Sequence, residues 1–402
     1  MKNRNYTIAV FAILLLSALR ASATEPTPEA TAHQNAAWSE KMRSLYRTLS
    51  SLMTDVSSDE RFKNPKHRSE IEANTKKLAD LAHDLNGKTV AAPDKDPSVA
   101  IFSSLFADEA KLAYRSLKAG HVEYSRELLR SIPGYCIACH TRNNSGPDFA
   151  SLPIEPTAKD LRSIERGEFY AATRQYDRAL KEFDAVISSE NIASTRPVEW
   201  SHAVKDALAI AVRVKQDPKL AKAIVERLIK SPAAPFFMKE DAVHWLESIE
   251  AWSKEPSQTA TNEEGLYSKA VLLLGQAHEL QKYPVDHSAD VLYLRASAAV
   301  HDLLQLGPDS RHAGEGYLMA GICYEVLSSF HIGEIQDIYY EACVRTNPHT
   351  PLATACYHRY QESLYFGFTG SGGTFLPQDE KDKLRLLEEL AKPAAQPLKV
   401  QN

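Results

Sequence analysis

The sequence predicts an all-α protein in two parts: an N-terminal four-helix bundle over 35–142 and a C-terminal stack of helical hairpins over 159–391. Three observations carry this. From residue 35 onward, apolar side chains recur at steps of three and four, the period of helices that bury one face. No stretch of any length alternates apolar and polar residues as a half-buried strand does. Between the two helical parts lies "RNNSGPDFASLPIEPTA", whose proline, glycine and serine mark a linker over 143–158.

The first element is a leader. Lys2 and Arg4 precede an apolar run from Thr7 to Leu19, and Ala21-Ser22-Ala23 is a small-residue exit. That is the pattern of a secretory signal peptide, 1–23, cleaved after Ala23. The run is shorter than the roughly 18 apolar residues a spanning helix needs, and no later stretch is apolar enough to insert stably in a membrane. Export makes the chain periplasmic or otherwise secreted. Removing the leader's three positive residues takes the formal charge from −5 to −8. A mildly acidic exported chain does not suit nucleic acid or anionic lipid. Its 44% hydrophobic content suffices to build cores. Five cysteines is an odd number for an oxidising compartment.

Four helices follow. The first carries Trp38, Met42, Leu45, Leu49, Leu52, Met53 and Val56 on one stripe. The second runs over about 69–85, with Ile71, Leu78, Leu81, Ala82 and Leu85 on one side and Asn86-Gly87 as its stop. Prolines 93 and 97 sit in the loop beyond. A third helix, about 98–118, carries Phe102, Leu105, Phe106, Ala110, Ala113 and Leu117, and Gly120 ends it. The fourth starts at His121, and Pro133-Gly134 should kink it before it resumes through Cys139. Short loops between amphipathic helices make an antiparallel bundle.

The fourth helix ends in "YCIACHTRN", 135–143. A CxxC redox pair belongs beside a βαβ pattern, and none is visible. Zinc wants four ligands, and no second CxxC or HxxxH completes a set. A disulfide between Cys136 and Cys139 would close a small strained loop. Covalent haem suits the motif best: two thiols one helical turn apart can add to the vinyl groups, and the adjacent His140 then meets the iron. The reading is one haem c, bound through Cys136 and Cys139, with His140 as the proximal iron ligand.

A CxxCH that closes the fourth helix of a bundle resembles the cytochrome c′ family, the class II c-type cytochromes, and the related four-helix cytochromes b. The resemblance covers 35–142, about a quarter of the chain, and beyond CIACH it is one of pattern. It implies that the far face of the iron looks at a residue early in helix one, a methionine in the low-spin members. In "AAWSEKMRSLYRTLSSLM" that residue is Met42, the distal ligand. A polarizable thioether on the apolar stripe can reach an iron, or can simply pack over the haem face. Arg43 and Arg47 offer charges to haem propionates, or form an ordinary solvated face.

Beyond the linker, Gly167, Tyr170, Ala179 and Phe183 sit at the spacings of a tetratricopeptide repeat, which this part resembles. Gly321 and Tyr324 repeat the G-x-x-Y element, and the pairs near 199–230, 235–282 and 289–305 are degenerate. Such repeats usually present a concave face to a protein or peptide. Cys343 and Cys356 flank a turn where a bridge is possible. His331, His349 and His358 have no metal-ligand spacing. "FGFTGSGGTFLP" lacks the context of a phosphate loop and reads as a connector to a last helix over 378–391. Residues 392–402 read as a disordered tail.

The functional expectation is an exported monohaem cytochrome, not an enzyme. It transfers electrons through a Met/His-ligated haem and docks to a redox partner or larger assembly through the repeats. One alternative is a five-coordinate haem that binds or senses gas; another is a non-redox scaffold in which haem is structural.

Overall fold

The computed structural model describes residues 28–86, 95–147, 149, 159–256, 260, 262–283, 285–330 and 335–393. The protein is all-α: seventeen α-helices and one two-residue β-hairpin occur among the described residues. The expected leader, 1–23, and residues 394–402 of the expected tail lie outside them. No helix among the described residues is long and apolar enough to cross a membrane.

Helix α1 (Pro28–Ser57) buries Leu49, Leu52, Met53 and Val56. Ser58 then caps the short α2 (Asp59–Lys63), its hydroxyl accepting from the Arg61 N–H. Helix α3 (Arg68–Leu85) returns along α1: Asn74 donates to Ser51, and Lys41 pairs with Asp84. Helices α4 (Ser98–Lys118) and α5 (Val122–His140) run antiparallel, since Ser125 donates to the Ala113 carbonyl and Ser131 to Glu109. Arg126 closes the ring by donating to the Val56 and Ser57 carbonyls at the end of α1. Helix α5 passes through Pro133 as one element. Proline removes a single donor, and the buried Ile132, Pro133 and Ile137 hold the helix on the core.

The rest of the chain is helix after helix: α6 (Ser163–Ala172), α7 (Tyr176–Ile187), α8 (Glu190–Thr195), α9 (Pro197–Ala209), α10 (Pro218–Lys230), α11 (Phe236–Trp252), α12 (Glu263–Leu280), α13 (Asp290–Leu304), α14 (Ala313–Leu327), α15 (Gln336–Thr346), α16 (Pro351–Gly367) and α17 (Gln378–Ala391). Helix α9 continues as a π-helical turn, Ile210–Val214. From α12 to α16 each helix packs on the next. The two glycines singled out in the sequence sit at close helix crossings. A Cβ on Gly167 would lie 2.5 Å from the Phe183 ring, and one on Gly321 would overlap Tyr340. In the glycine-rich connector, β1 (Thr369–Gly370) pairs with β2 (Gly373–Thr374).

One continuous set of buried apolar side chains extends from Leu49 to Ala391, so the N-terminal helices and the rest share a core. Their junction has a polar centre. Asp96, which leads into α4, is 1% exposed. Its carboxylate pairs with Arg142 and accepts from His301 Nδ1 at 2.8 Å. His301 Nε2 then accepts from the Tyr324 hydroxyl at 2.5 Å, which makes the ring neutral. Arg213, carried by the π-turn, donates to the Arg142 carbonyl and to Tyr324. Asn143 is buried and donates to Asp302. Residues 141–143 are thus fixed, although the sequence reads 143 as the start of a linker.

Burial alone would raise the Asp96 pKa, but Arg142 and His301 outweigh it and hold the carboxyl well below its usual range. For His301, burial wins over the pull of Asp96 and pushes the imidazole down to about 4. The unfolded chain protonates this histidine below about 6.5. It therefore binds a proton that the fold does not, and stability that is complete above about pH 6.5 falls toward about pH 4. Urea unfolding followed across that window should show the loss. His301→Gln, which keeps a donor and an acceptor but does not titrate, should flatten it; an unchanged slope would assign the loss to other groups. Separately, Gly167→Ala should cost about 1–3 kcal/mol through the clash with Phe183, read as a lower urea midpoint at unchanged m-value.

Candidate functional site

The helical period puts Cys136 and Cys139 on the stripe of α5 that carries Ser125, Leu129 and Ile132, all buried against the other N-terminal helices. Both thiols are half-buried and neither is in a disulfide, whereas Cys343 and Cys356 are joined in one with a Cα–Cα separation of 6.1 Å. Cys323 is free and buried. Burial, with Cys139 beside it, pushes the Cys136 thiol up to about 12, so it stays protonated at neutral pH.

His140 is the last residue of α5. Its Nδ1 lies 2.8 Å from the Ala172 carbonyl at the end of α6. A carbonyl can only accept, so Nδ1 carries the proton and Nε2 keeps its lone pair for a metal. Burial pushes this imidazole down to about 3, and Arg174 adds to the effect, so the ring is neutral. The Tyr176 hydroxyl donates to the His140 carbonyl at 2.8 Å.

Met42 lies at the same end. Helices α1 and α5 are antiparallel and anchored where Arg126 meets the Val56 carbonyl. Fourteen residues back from Val56 is Met42, and fourteen on from Arg126 is His140; at the helical rise each step covers about 21 Å. Met42 is half-buried, as are its neighbours Trp38, Leu45 and Tyr46, and Ile101 and Leu105 on α4. Leu49, Leu52, Phe106, Leu129 and Ile132, further along the same stripes, are fully buried. The apolar interior is therefore half-open at the end that carries the thiols. Met53 is buried about three helical turns further along α1.

These residues fit a single covalent haem. Two thiols a turn apart, neither in a disulfide, face an incompletely closed apolar interior, an imidazole has its outer nitrogen already engaged, and a thioether stands level with it. Arg43 and Arg47 do not point the same way by their contacts: both pair with Glu40 on the surface. His331 lies outside the described residues, and His349 bonds the Lys392 carbonyl. Among the described residues no group of three or more His, Cys, Asp or Glu side chains is gathered to hold a metal ion.

A cleft of about 1010 Å³ opens beside α5, lined there by Gly134, Ile137 and Ala138, by Leu105 on α4, and across from them by Glu168 and His202. The thiols and His140 do not line it, but Ile137 and Ala138, the two residues between the thiols, do. Burial, reinforced by Asp206, pushes Glu168 up to about 8. Asp206 is pushed to about 8 by burial, and neither of its oxygens has a hydrogen-bond partner. Sequence reasoning missed this acid pair and the Asp96 network. Only "DPS", 96–98, signalled anything: Asp96 accepts from the Ser98 N–H as a helix-start residue should.

The pairing of Cys343 with Cys356 sets a thiol count. A haem-free chain, unfolded without reductant, should react with three equivalents of a thiol reagent, from Cys136, Cys139 and Cys323; five equivalents would refute the disulfide. No protein-family model, no curated protein and no solved structure matches this chain.

Proposed function

We propose that this chain is an exported monohaem c-type cytochrome that transfers electrons and docks to a partner through its C-terminal helices. In this reading α1, α3, α4 and α5 are a cytochrome c′-like bundle, and 159–391 is a tetratricopeptide-like solenoid. The observation that carries the proposal is CIACH at the end of α5, with both thiols outside any disulfide and packed at the half-open apolar end. The Cys343–Cys356 bridge supports an oxidising compartment, as the leader-like first 23 residues do.

Bound haem supplies one-electron chemistry at its iron. Cys136 and Cys139 would hold it as thioethers, and His140 would present Nε2. Met42, level with His140, would be the second residue to hold the iron, and a thioether there would raise the reduction potential. Trp38, Leu45 and Leu105 would keep bulk water from the ring, while their partial exposure leaves an edge for electron exchange. A redox protein partner, rather than nucleic acid or a membrane, suits the acidic surface.

A second reading, gas binding at a five-coordinate iron, draws on the half-buried state of Met42, whose flexible side chain could stand aside. Optical spectra of the mature protein and of Met42→Ala separate the two. Electron transfer expects low-spin bands insensitive to carbon monoxide in the wild type, with Met42→Ala turning high-spin and binding the gas. A wild type that binds carbon monoxide readily favours the sensor. A colourless product of unmodified mass, from a host able to attach haem, ends both.

A further inference from the structure

Four carbonyls are left over at the end of any helix. At the end of α6 three find local donors: Phe169 takes the Thr173 N–H, Ala171 the Arg174 N–H and Tyr170 the Gln175 N–H. The fourth, Ala172, meets His140 Nδ1. This arrangement is a Schellman turn, and its left-handed position is normally glycine. Here it is Arg174, with φ of 58°. A side chain in that region is strained. Arg174 uses it: the guanidinium donates to the carbonyls of Ser145 and Pro147, just after the haem-binding motif, and its own carbonyl accepts from the Phe149 N–H. Two residues on, Tyr176 bonds the His140 carbonyl. The α6–α7 corner thus grips the chain at residues 140, 145, 147 and 149.

We propose that this corner is a positioning device for the axial histidine, with Ala172 setting the ring of His140 while Tyr176 and Arg174 hold the corner in register. This rests on the haem reading above. A hydrogen bond from Nδ1 to a carbonyl fixes the tautomer and makes Nε2 a stronger donor, which favours the oxidised iron. The helices that follow the linker would in this way help to set the potential of a group bound entirely by the helices before it. Tyr176 and Arg174 are positioning residues; neither touches the haem in this scheme.

The test uses the haem-loaded full chain. Tyr176→Phe removes one tie and should shift the midpoint potential to a more positive value. The His140 ring N–H, followed by NMR, should exchange with solvent at least tenfold faster than in the wild type, with haem content and helical circular dichroism unchanged. Tyr170→Phe, on the same hairpin but making no bond to the motif, should leave both quantities at wild-type values. An unchanged potential in Tyr176→Phe, or equal shifts in the two variants, overturns the positioning role. The wild type gives a check that needs no variant: a His140 ring N–H that exchanges as fast as a solvent-exposed one overturns it as well. Failure of the underlying reading is distinguishable, because the wild type would then carry no haem at all.

Discussion

A carboxylate taken out of water costs several kcal/mol unless charges and donors surround it. Asp96 is in that position, and the way its cost is met ties the molecule together. Its partners come from the end of the CxxCH segment, Arg142, and from α13, His301. Those two are themselves held from further away, His301 by Tyr324 on α14 and the Arg142 carbonyl by Arg213 on the π-turn. Removing one partner of such a pair typically costs about 3–5 kcal/mol, because it leaves the other charge buried alone. The arrangement of the N-terminal helices against the rest therefore follows from a requirement for satisfied charge as much as from apolar packing.

That constraint bears on the candidate haem site through distance along the chain. Arg142 is two residues from His140, and it is anchored by Asp96 on one side and by Arg213 on the other. The end of α5 is consequently not a free helix terminus. Its final turns carry the thiols on the buried stripe and His140 against α6, while Gly134, Ile137 and Ala138 line the neighbouring cleft. A linker that let the two parts swing apart would break the Ala172, Tyr176 and Arg142 contacts together. The π-turn fits the same logic: an extra residue per turn is an uncommon irregularity that redirects a side chain, and here the side chain is Arg213.

Helix extents were largely legible in the sequence. The expected spans of 69–85, 98–118 and 378–391 agree closely with α3, α4 and α17, because a 3.6-residue apolar period and its proline and glycine stops are local properties. Gly167 with Phe183 was legible too, since a missing Cβ and a large ring at repeat spacing describe one helix crossing. The CIACH arrangement was legible for the same reason: one helical turn relates its two thiols, and the imidazole follows the second directly.

What the sequence alone determined, then, is the set of features whose parts lie within one helix, together with the one hairpin crossing that repeat spacing marks. Only the tertiary structure decided that Asp96 meets His301 more than two hundred residues away, that Ala172 closes on His140, that Cys343 pairs with Cys356 and that the buried Asp206 raises the Glu168 pKa. Spacing along a chain cannot specify such partners. They depend on where whole helices come to rest, and that is set by the summed packing of many side chains and by the need to leave no buried charge unpaired.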